Sequence, residues 1–249
     1  MSDKQAAEAA AFAAVVALAQ RENLGEYRMS YRAAKIKTIQ LVGQLIFGIL
    51  FLILVIGIFF LVMAFMTPNL NSKRAAKRLH FFERGLVLAE ASGPVAFYTW
   101  DSISVLQAIT QRYVNGVYVG TTYVYTLLTR DGKKVKVTNF YEKPTEWGPA
   151  IQASITRAQL PGVVASLESG ASVTFGPLVI NRGGIATGSK SLRWDEIKEI
   201  DVNQGYLRIK KTSGWSRWST KPVSQIPNFF VFFAAANHLR EQSHPLPSS

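Results

Sequence analysis

The chain has 249 residues, a formal net charge of +12 at neutral pH and no cysteine. The lack of cysteine excludes disulfide bonds and thiolate metal sites, and it agrees with a cytosolic environment for the folded part. Basic residues are spread along the chain without a recognition motif, so the charge does not indicate a nucleic-acid-binding protein. Beside a membrane, the same charge would attract anionic lipid.

The sequence predicts that residues 1–37 form a helical and basic N-terminal segment. The alanine-rich stretch 5–19 favours a helix. Four basic side chains then form a collar: Arg28, Arg32, Lys35 and Lys37. A signal peptide fits poorly, because residues 1–4 are not a cationic start and Glu8 interrupts the apolar run. We expect a surface helix or a loosely ordered tail, with a membrane-surface role as the alternative.

Residues 41–66 are the most apolar stretch of the chain, and no charged residue lies between Lys37 and Lys73. At ~1.5 Å rise per residue, a helix of this length exceeds the ~30 Å hydrocarbon core of a bilayer. The sequence therefore predicts one transmembrane helix over residues 38–67 and a single-pass location in the cell membrane. Two crossings would need about 40 residues, which argues against a membrane hairpin. A buried helix of a soluble protein is the alternative.

The orientation of this segment is not decided by its flanking charges. Four basic residues follow it, as many as precede it: Lys73, Arg74, Lys77 and Arg78. The positive-inside rule therefore gives no preference. The absence of cysteine and of glycosylation sequons favours a cytosolic location for the C-terminal domains.

After residue 77, short runs rich in aromatic and β-branched residues alternate with glycine-containing turns. The first set of predicted strands comprises Leu79–Phe82, Leu86–Glu90, Val95–Trp100, Ser102–Arg112, Tyr118–Thr129 and Lys134–Asn139. A helix should follow Pro144, over Thr145 to about Gln159, with a break or kink at Pro161-Gly162.

A second set of strands follows in the same manner. It comprises Ser172–Phe175, Leu178–Asn181, Gly184–Thr187, Ser191–Trp194, Glu199–Gln204, Tyr206–Lys211 and Trp215–Thr220. Asn228 is a plausible N-cap for a final helix over Phe229–Glu241.

The two sets of strands contain a sequence repeat. The pattern W-D-x-I-x-x-[LI] occurs at residues 100–106 and again at 194–200. Upstream, Arg84-Gly85-Leu86-Val87 matches Arg182-Gly183-Gly184-Ile185 more loosely. Because each copy ends in a predicted helix, an internal duplication is the simplest account.

These motifs, with V-T-F-G-P at 173–177 and I-P-N at 226–228, resemble those of bacterial pleckstrin-homology-like (PH-like) domains. Their full order resembles uncharacterised bacterial single-pass membrane proteins that carry such domains in tandem. The resemblance implies an α+β, mainly β fold: one transmembrane helix followed by two PH-like domains, each a bent antiparallel β-barrel capped by a C-terminal helix. The expected domains are 78–170 and 171–242, with a tail at 243–249.

The repeated motif has a structural interpretation. Its members in the two copies are Trp100, Asp101, Ile103, Trp194, Asp195 and Ile197. We expect the tryptophans to be core anchors and the aspartates to bind turn amides, with ligand contact as the alternative.

No motif indicates catalysis. The three histidines are not at metal-ligand spacing, and there is no nucleophile elbow or kinase motif set. Residues 183–190 lack the G-K-[ST] ending of a phosphate loop. We therefore expect a non-catalytic protein without cofactor or metal.

The leading hypothesis is a membrane-anchored interaction module whose PH-like domains bind a protein partner or anionic lipid headgroups. Candidate contacts are Lys133, Lys134, Lys136, Arg208, Lys210, Lys211, Trp215, Arg217 and Trp218. A solvated basic face explains the cations equally well, and a hairpin packed on the barrel explains the tryptophans. The alternative function is a structural subunit of a membrane oligomer that self-assembles through its β-domains.

Overall fold

The computed structural model describes residues 3–51, 56–128, 132, 134–213 and 217–243. The helices in these ranges are α1 (Asp3–Arg21), α2 (Thr38–Leu50), α3 (Ile56–Phe65), α4 (Ser72–Ala75), α5 (Pro144–Glu168) and α6 (Phe229–Ser243). The first seven strands are β1 (Tyr27–Arg32), β2 (Arg78–Phe82), β3 (Gly85–Glu90), β4 (Gly93–Thr99), β5 (Ser104–Val114), β6 (Val117–Leu128) and β7 (Lys134–Thr138).

Seven further strands follow α5. They are β8 (Val173–Phe175), β9 (Leu178–Asn181), β10 (Gly184–Thr187), β11 (Lys190–Arg193), β12 (Ile197–Asn203), β13 (Tyr206–Lys211) and β14 (Arg217–Pro222). The chain divides into two compact units: unit 1 is Met1–Thr99 with Asn139–Pro144, and unit 2 is Trp100–Thr138 with Thr145–Ser249. The predicted boundaries at 78–170 and 171–242 stay a prediction.

Unit 1 is built on an antiparallel sheet with the strand order β1-β2-β3-β4. Helix α1 covers this sheet, and its side chains Val15 and Ala19 are buried in one cluster with Phe82 and Val87. The N-terminal segment is therefore part of the folded unit and not a loose tail. The sequence does not predict strand β1, because its residues alternate weakly and only Tyr31 is buried.

The predicted transmembrane helix over residues 38–67, and with it the description as a single-pass protein of the cell membrane, is wrong. The apolar segment holds the separate helices α2, of 13 residues, and α3, of 10 residues. In the described part of the chain, no helix combines the length and apolar character that a membrane crossing requires. Strand β1, before the segment, pairs with β2, after it, so the chain returns to the sheet that it left.

The predicted fold of one transmembrane helix and two capped PH-like barrels is wrong as well. The described strands form four small antiparallel sheets, two of four strands and two of three. Every pairing in these sheets joins strands that are neighbours in the chain, whereas a barrel closes by pairing its first and last strands. Strand propensity is a property of short local segments, so most strands could be predicted. The closing of a sheet into a barrel depends on pairing between distant strands, which the local pattern does not indicate.

The order of a four-stranded sheet, a three-stranded sheet and a helix occurs twice along the chain, which agrees with the sequence repeat. Helix α5, which closes the first round, runs unbroken through Pro161 and Gly162, so the predicted break there is wrong. Two residues before Pro161, the side chain of Gln159 donates hydrogen bonds to the carbonyls of Trp100 (2.7 Å) and Ile103 (2.8 Å). These tertiary contacts fix this turn of α5 to the residues just before β5, and they offset the tendency of proline to break a helix.

Candidate functional site

Helices α2 and α3 form an antiparallel hairpin in unit 1. The rings of Phe47 and Phe60 lie 6.1 Å apart between centroids, and the amide of Gly57 donates to the carbonyl of Phe51 (3.0 Å). A Cβ atom on Gly48 would lie 2.8 Å from a methyl carbon of Leu61, so the glycine allows the helices to approach closely. The apolar run that suggested one long helix is therefore folded back on itself.

The two ends of the hairpin are fixed to each other by Asn69. Its side-chain oxygen accepts from the amide of Ile36 (3.1 Å), and its side-chain nitrogen donates to the carbonyl of Ile36 (3.2 Å). The guanidinium of Arg74 donates to the carbonyl of Met66 at the end of α3 (2.6 Å). The two bonds of Asn69 join residues that lie on opposite sides of the apolar segment, and no local sequence signal indicates them.

The hairpin leaves large apolar side chains exposed on both helices and at Met66, directly after α3. They are Ile39, Val42, Ile46, Phe47, Ile49, Leu50, Ile58, Phe59, Val62, Met63, Phe65 and Met66. The side chains of Ile49 and Leu50, at the C-terminal end of α2, are 69% and 68% exposed. Exposed apolar side chains gathered on two packed helices are a feature by which interaction surfaces are recognised in proteins.

Basic side chains flank the hairpin where its two ends meet. Lys35 and Lys37 are exposed before α2, and Lys73 is exposed in α4 after it. Because Asn69 joins the two ends, both basic flanks lie at the same end of the hairpin. The positive-inside rule compares basic residues on the two sides of a membrane. Because both basic flanks lie at one end of the hairpin, the rule has no two sides to compare here.

Unit 1 also contains a cleft of about 580 Å³. It is lined by Ala7, Glu8, Ala11, Phe12, Tyr27, Ser30, Arg32, Ser72, Lys73, Ala76, Arg78, His80, Ala89, Glu90 and Ala91. These residues come from α1, from β1 to β3 with Ala91 directly after β3, and from α4 with Ala76 directly after it. The volume lies in the ~300–1,000 Å³ range of ligand pockets.

Two arginines face each other across the β1–β2 ladder in this cleft. Arg32 is the register partner of Arg78. The pKa of the Arg78 guanidinium is lowered, first by burial and then by the charge of Arg32. Its Nη1 donates to the carbonyls of Ala75 (2.6 Å) and Lys77 (3.0 Å) and not to a carboxylate. The pair therefore places two positive charges side by side at one end of the sheet, and the carboxylates of Glu8 and Glu142 offset them in part.

His80 is the buried titratable residue of the cleft, at 5% exposure. Its ring packs against Phe12 and Tyr27, at centroid distances of 5.6 Å and 6.2 Å. Within the described residues, its Nδ1 is buried without a hydrogen-bond partner. Burial, and then the charge of Arg78, lowers the pKa of His80 from 6.5 to about 4. The imidazole is therefore neutral at physiological pH.

This shift predicts a loss of stability in mild acid. Between pH 6.5 and about 4 the unfolded chain binds a proton at His80 that the folded chain rejects. The protonation of His80 therefore does not reduce stability above pH 6.5. As the pH falls from 6.5 to about 4, it lowers the free energy of unfolding by about 3 kcal/mol. Denaturant unfolding of wild type and His80→Phe across this range measures how stability changes with pH, and the variant should lose the part of that change that His80 contributes. Equal slopes for wild type and His80→Phe would contradict the prediction.

The structure places the repeated motif in cores. Trp100, Ile103, Trp194 and Ile197 are each at most 2% exposed, and the indole of Trp194 donates to the carbonyl of Asn181 (2.8 Å). These positions agree with the anchor interpretation of the tryptophans.

The motif aspartates are arranged differently from the expectation. The carboxylate of Asp195 accepts from the guanidinium of Arg193 (2.6 and 3.0 Å), while Glu196 accepts from the Arg193 amide (3.0 Å). The turn amide is thus bound by the glutamate one position later. Asp101 is exposed.

The basic and aromatic contacts predicted from the sequence lie on two sheets of unit 2. Lys134 and Lys136 are exposed on β7; Arg208, Lys210 and Lys211 are half-buried on β13; Arg217 is exposed and Trp218 half-buried on β14. Lys133 and Trp215 lie outside the described residues. Lys210 forms an ion pair with Glu199 (2.6 Å), whose pKa is lowered by that hydrogen bond. As binding residues, all of them stay predictions.

Comparison with known proteins gives one relationship. No curated protein and no solved structure matches the chain. A family model described as a family of unknown function, DUF6585, matches residues 1–245. Its description contains nothing about PH-like domains, a bacterial source or a membrane, so the resemblance in the repeat motifs stays a prediction. The chain belongs to the family of unknown function DUF6585.

Proposed function

We propose that the chain is a non-catalytic interaction module that docks on an anionic lipid surface from one side, through the α2–α3 hairpin. The observation that carries the proposal is the exposed apolar surface of the hairpin, whose two ends meet between exposed lysines. No crossing of the bilayer is involved.

The dimensions of the hairpin support docking from one side. Helices of 13 and 10 residues are about 20 Å and 15 Å long at ~1.5 Å per residue. The hydrocarbon core measures ~30 Å, so helices of these lengths reach between about half and about two thirds of the way across it. Both elements are helices, which satisfy most of their backbone groups internally, as the acyl region requires.

Charge at the hairpin base supports the anionic class of lipid. Lys35, Lys37 and Lys73 are exposed and would lie in the headgroup layer if the apolar side chains were immersed. Each basic residue near an anionic surface contributes about 1 kcal/mol, and that contribution is screened by salt. Apolar burial then provides the salt-insensitive part of the binding energy.

Flotation of the full chain with neutral and anionic vesicles tests the proposal. We expect binding to phosphatidylcholine vesicles that contain phosphatidylglycerol, weakened by salt. Ile49→Glu with Leu50→Glu should reduce binding by about a hundredfold, because each change replaces an immersed apolar side chain by a charge. The matched control is Val117→Glu with Val119→Glu on β6, where the side chains are also exposed, at 66% and 51%.

A second pair of variants separates charge from apolar contact. Lys35→Gln with Lys37→Gln should weaken binding to anionic vesicles by about tenfold or more and leave neutral vesicles unaffected. Two results would sink the proposal. One is equal binding by the hairpin variant and its control, and the other is a concentration-dependent rise in mass without vesicle binding, which would favour the self-assembling structural protein.

A further inference from the structure

The charges around the cleft of unit 1 do not cancel. Among the described residues, Arg32 and Lys73 form no ion pair, and Arg78 donates to backbone carbonyls. Two carboxylates lie in the lining: Lys77 engages Glu90 (2.6 Å), and Glu8 acts electrostatically on Arg78, as does Glu142 from outside the lining. The lining therefore carries a cationic cluster, Arg32, Lys73 and Arg78, against one carboxylate, Glu8, that forms no ion pair among the described residues. Guanidinium groups favour carboxylate and phosphate oxygens, which accept two hydrogen bonds at once.

The rest of the lining is apolar or uncharged. Phe12 and Tyr27 pack edge to face with 5.2 Å between ring centroids, and both rings keep exposed surface, at 39% and 43%. His80 adds a neutral ring beside them. Alanines from α1 and its neighbours, including Ala11 and Ala76, leave the space open because their side chains end at Cβ. The alanine-rich helix thus forms a wall of the cleft as well as part of the core.

We propose that this cleft binds a single-chain anionic amphiphile: the cationic cluster holds the acidic head, and Phe12, Tyr27 and the alanines contact the apolar chain. The cluster lies next in sequence to the hairpin, because Arg32 precedes Ile36 and Lys73 follows Asn69, the two residues that close the hairpin base. The inference deepens the proposed function, since a docked lipid surface would supply such molecules, but the binding step itself requires no bilayer.

Calorimetric titration of the full chain with a lysophosphatidylglycerol, kept below its critical micelle concentration and without vesicles, tests the site. We expect one molecule bound per chain. Lysophosphatidylcholine should bind at least about tenfold more weakly, because its ammonium group opposes the cationic cluster. Inorganic phosphate should also bind more weakly, because it lacks the apolar chain. Equal affinities for the anionic and zwitterionic amphiphiles, or phosphate binding as tight as the amphiphile, would overturn the proposal.

Variants locate the binding. Arg32→Gln with Lys73→Gln should weaken lysophosphatidylglycerol binding by about tenfold or more through the loss of charge-assisted hydrogen bonds. The control Lys134→Gln with Lys136→Gln removes the same charge from β7 and should leave the affinity unchanged. Ala11→Trp should block binding by filling the cleft. Unchanged melting temperatures establish that the variants are folded, and wild-type affinity in the Arg32/Lys73 variant would refute the site.

The Ile49→Glu/Leu50→Glu variant separates the two proposals. It should bind lysophosphatidylglycerol like the wild type, because these residues do not line the cleft. Loss of amphiphile binding in this variant would place the contact on the hairpin and overturn the cleft site. Amphiphile binding by a wild-type chain that ignores vesicles would instead overturn the docking function and support the cleft site.

Discussion

Gly184→Ala should lower the free energy of unfolding by about 3 kcal/mol or more. A Cβ atom at this position would collide with the carbonyl oxygen of Leu192, and it would lie 2.9 Å from that carbonyl carbon and 3.0 Å from the Cα of Arg193. These are backbone atoms of β11, the neighbour of β10 in the sheet. They cannot yield without breaking the ladder between the two strands.

Gly85 occupies the corresponding position in the first copy of the repeat. Its added Cβ would collide with the carbonyl oxygen of Tyr98 and lie 2.9 Å from Leu24. Gly85 pairs with Thr99, and Gly184 pairs with Arg193, each the residue before a motif tryptophan. The register therefore corrects the sequence match by one position: Gly85 corresponds to Gly184 and not to Gly183.

Equilibrium denaturation measures the effect, with Gly162→Ala as the matched control. Gly162 lies in α5 without a positive φ, and a Cβ atom added to it would meet no neighbouring atom within 4 Å. The control should be neutral or stabilising by up to about 1 kcal/mol, because alanine is the better helix former. Wild-type stability in Gly184→Ala, or an equal loss in the control, would contradict the steric argument.

Asn228→Asp should cost about 3 kcal/mol at neutral pH. The side-chain nitrogen of Asn228 donates to the carbonyl of Ile103 (3.1 Å) and to the side-chain oxygen of Gln159 (2.7 Å), and its oxygen accepts from the amide of Val105 (2.7 Å). Aspartate keeps the size and the acceptor but places a charged oxygen against two other oxygens. The substitution therefore converts two hydrogen bonds into repulsions within a half-buried network.

Asn181→Asp is the matched control for this substitution. The side-chain oxygen of Asn181 accepts from the amides of Gly183 (2.9 Å) and Gly184 (3.1 Å), and its nitrogen makes one long contact with Ser172 (3.4 Å). Aspartate retains both strong bonds, so we expect a change within about 0.5 kcal/mol. Denaturation at neutral pH compares the two variants. Equal losses would show that the Asn228 network contributes no more than a local turn.

The strands of the predicted pattern are present within a few residues, as β2 and β13 illustrate. Alternation and turn residues are local signals, and the short hairpins of this chain need no more than neighbouring segments to form. Strand β1 was not predicted because it forms by pairing with β2, which lies on the other side of the apolar segment in the sequence. The cleft was not predicted for the same reason, since Arg32 and Arg78 become neighbours only in the β1–β2 ladder.

The sequence by itself determined which stretches are apolar, where most of the strands after residue 77 lie, and that a tryptophan motif recurs. It also placed basic residues on both sides of the apolar segment. Only the tertiary structure decided that this segment folds into two short helices, because the clamp between Asn69 and Ile36 and the β1–β2 ladder bring its two ends together. Composition measures how apolar a segment is, whereas the path of the chain is set by contacts between residues that are distant in sequence.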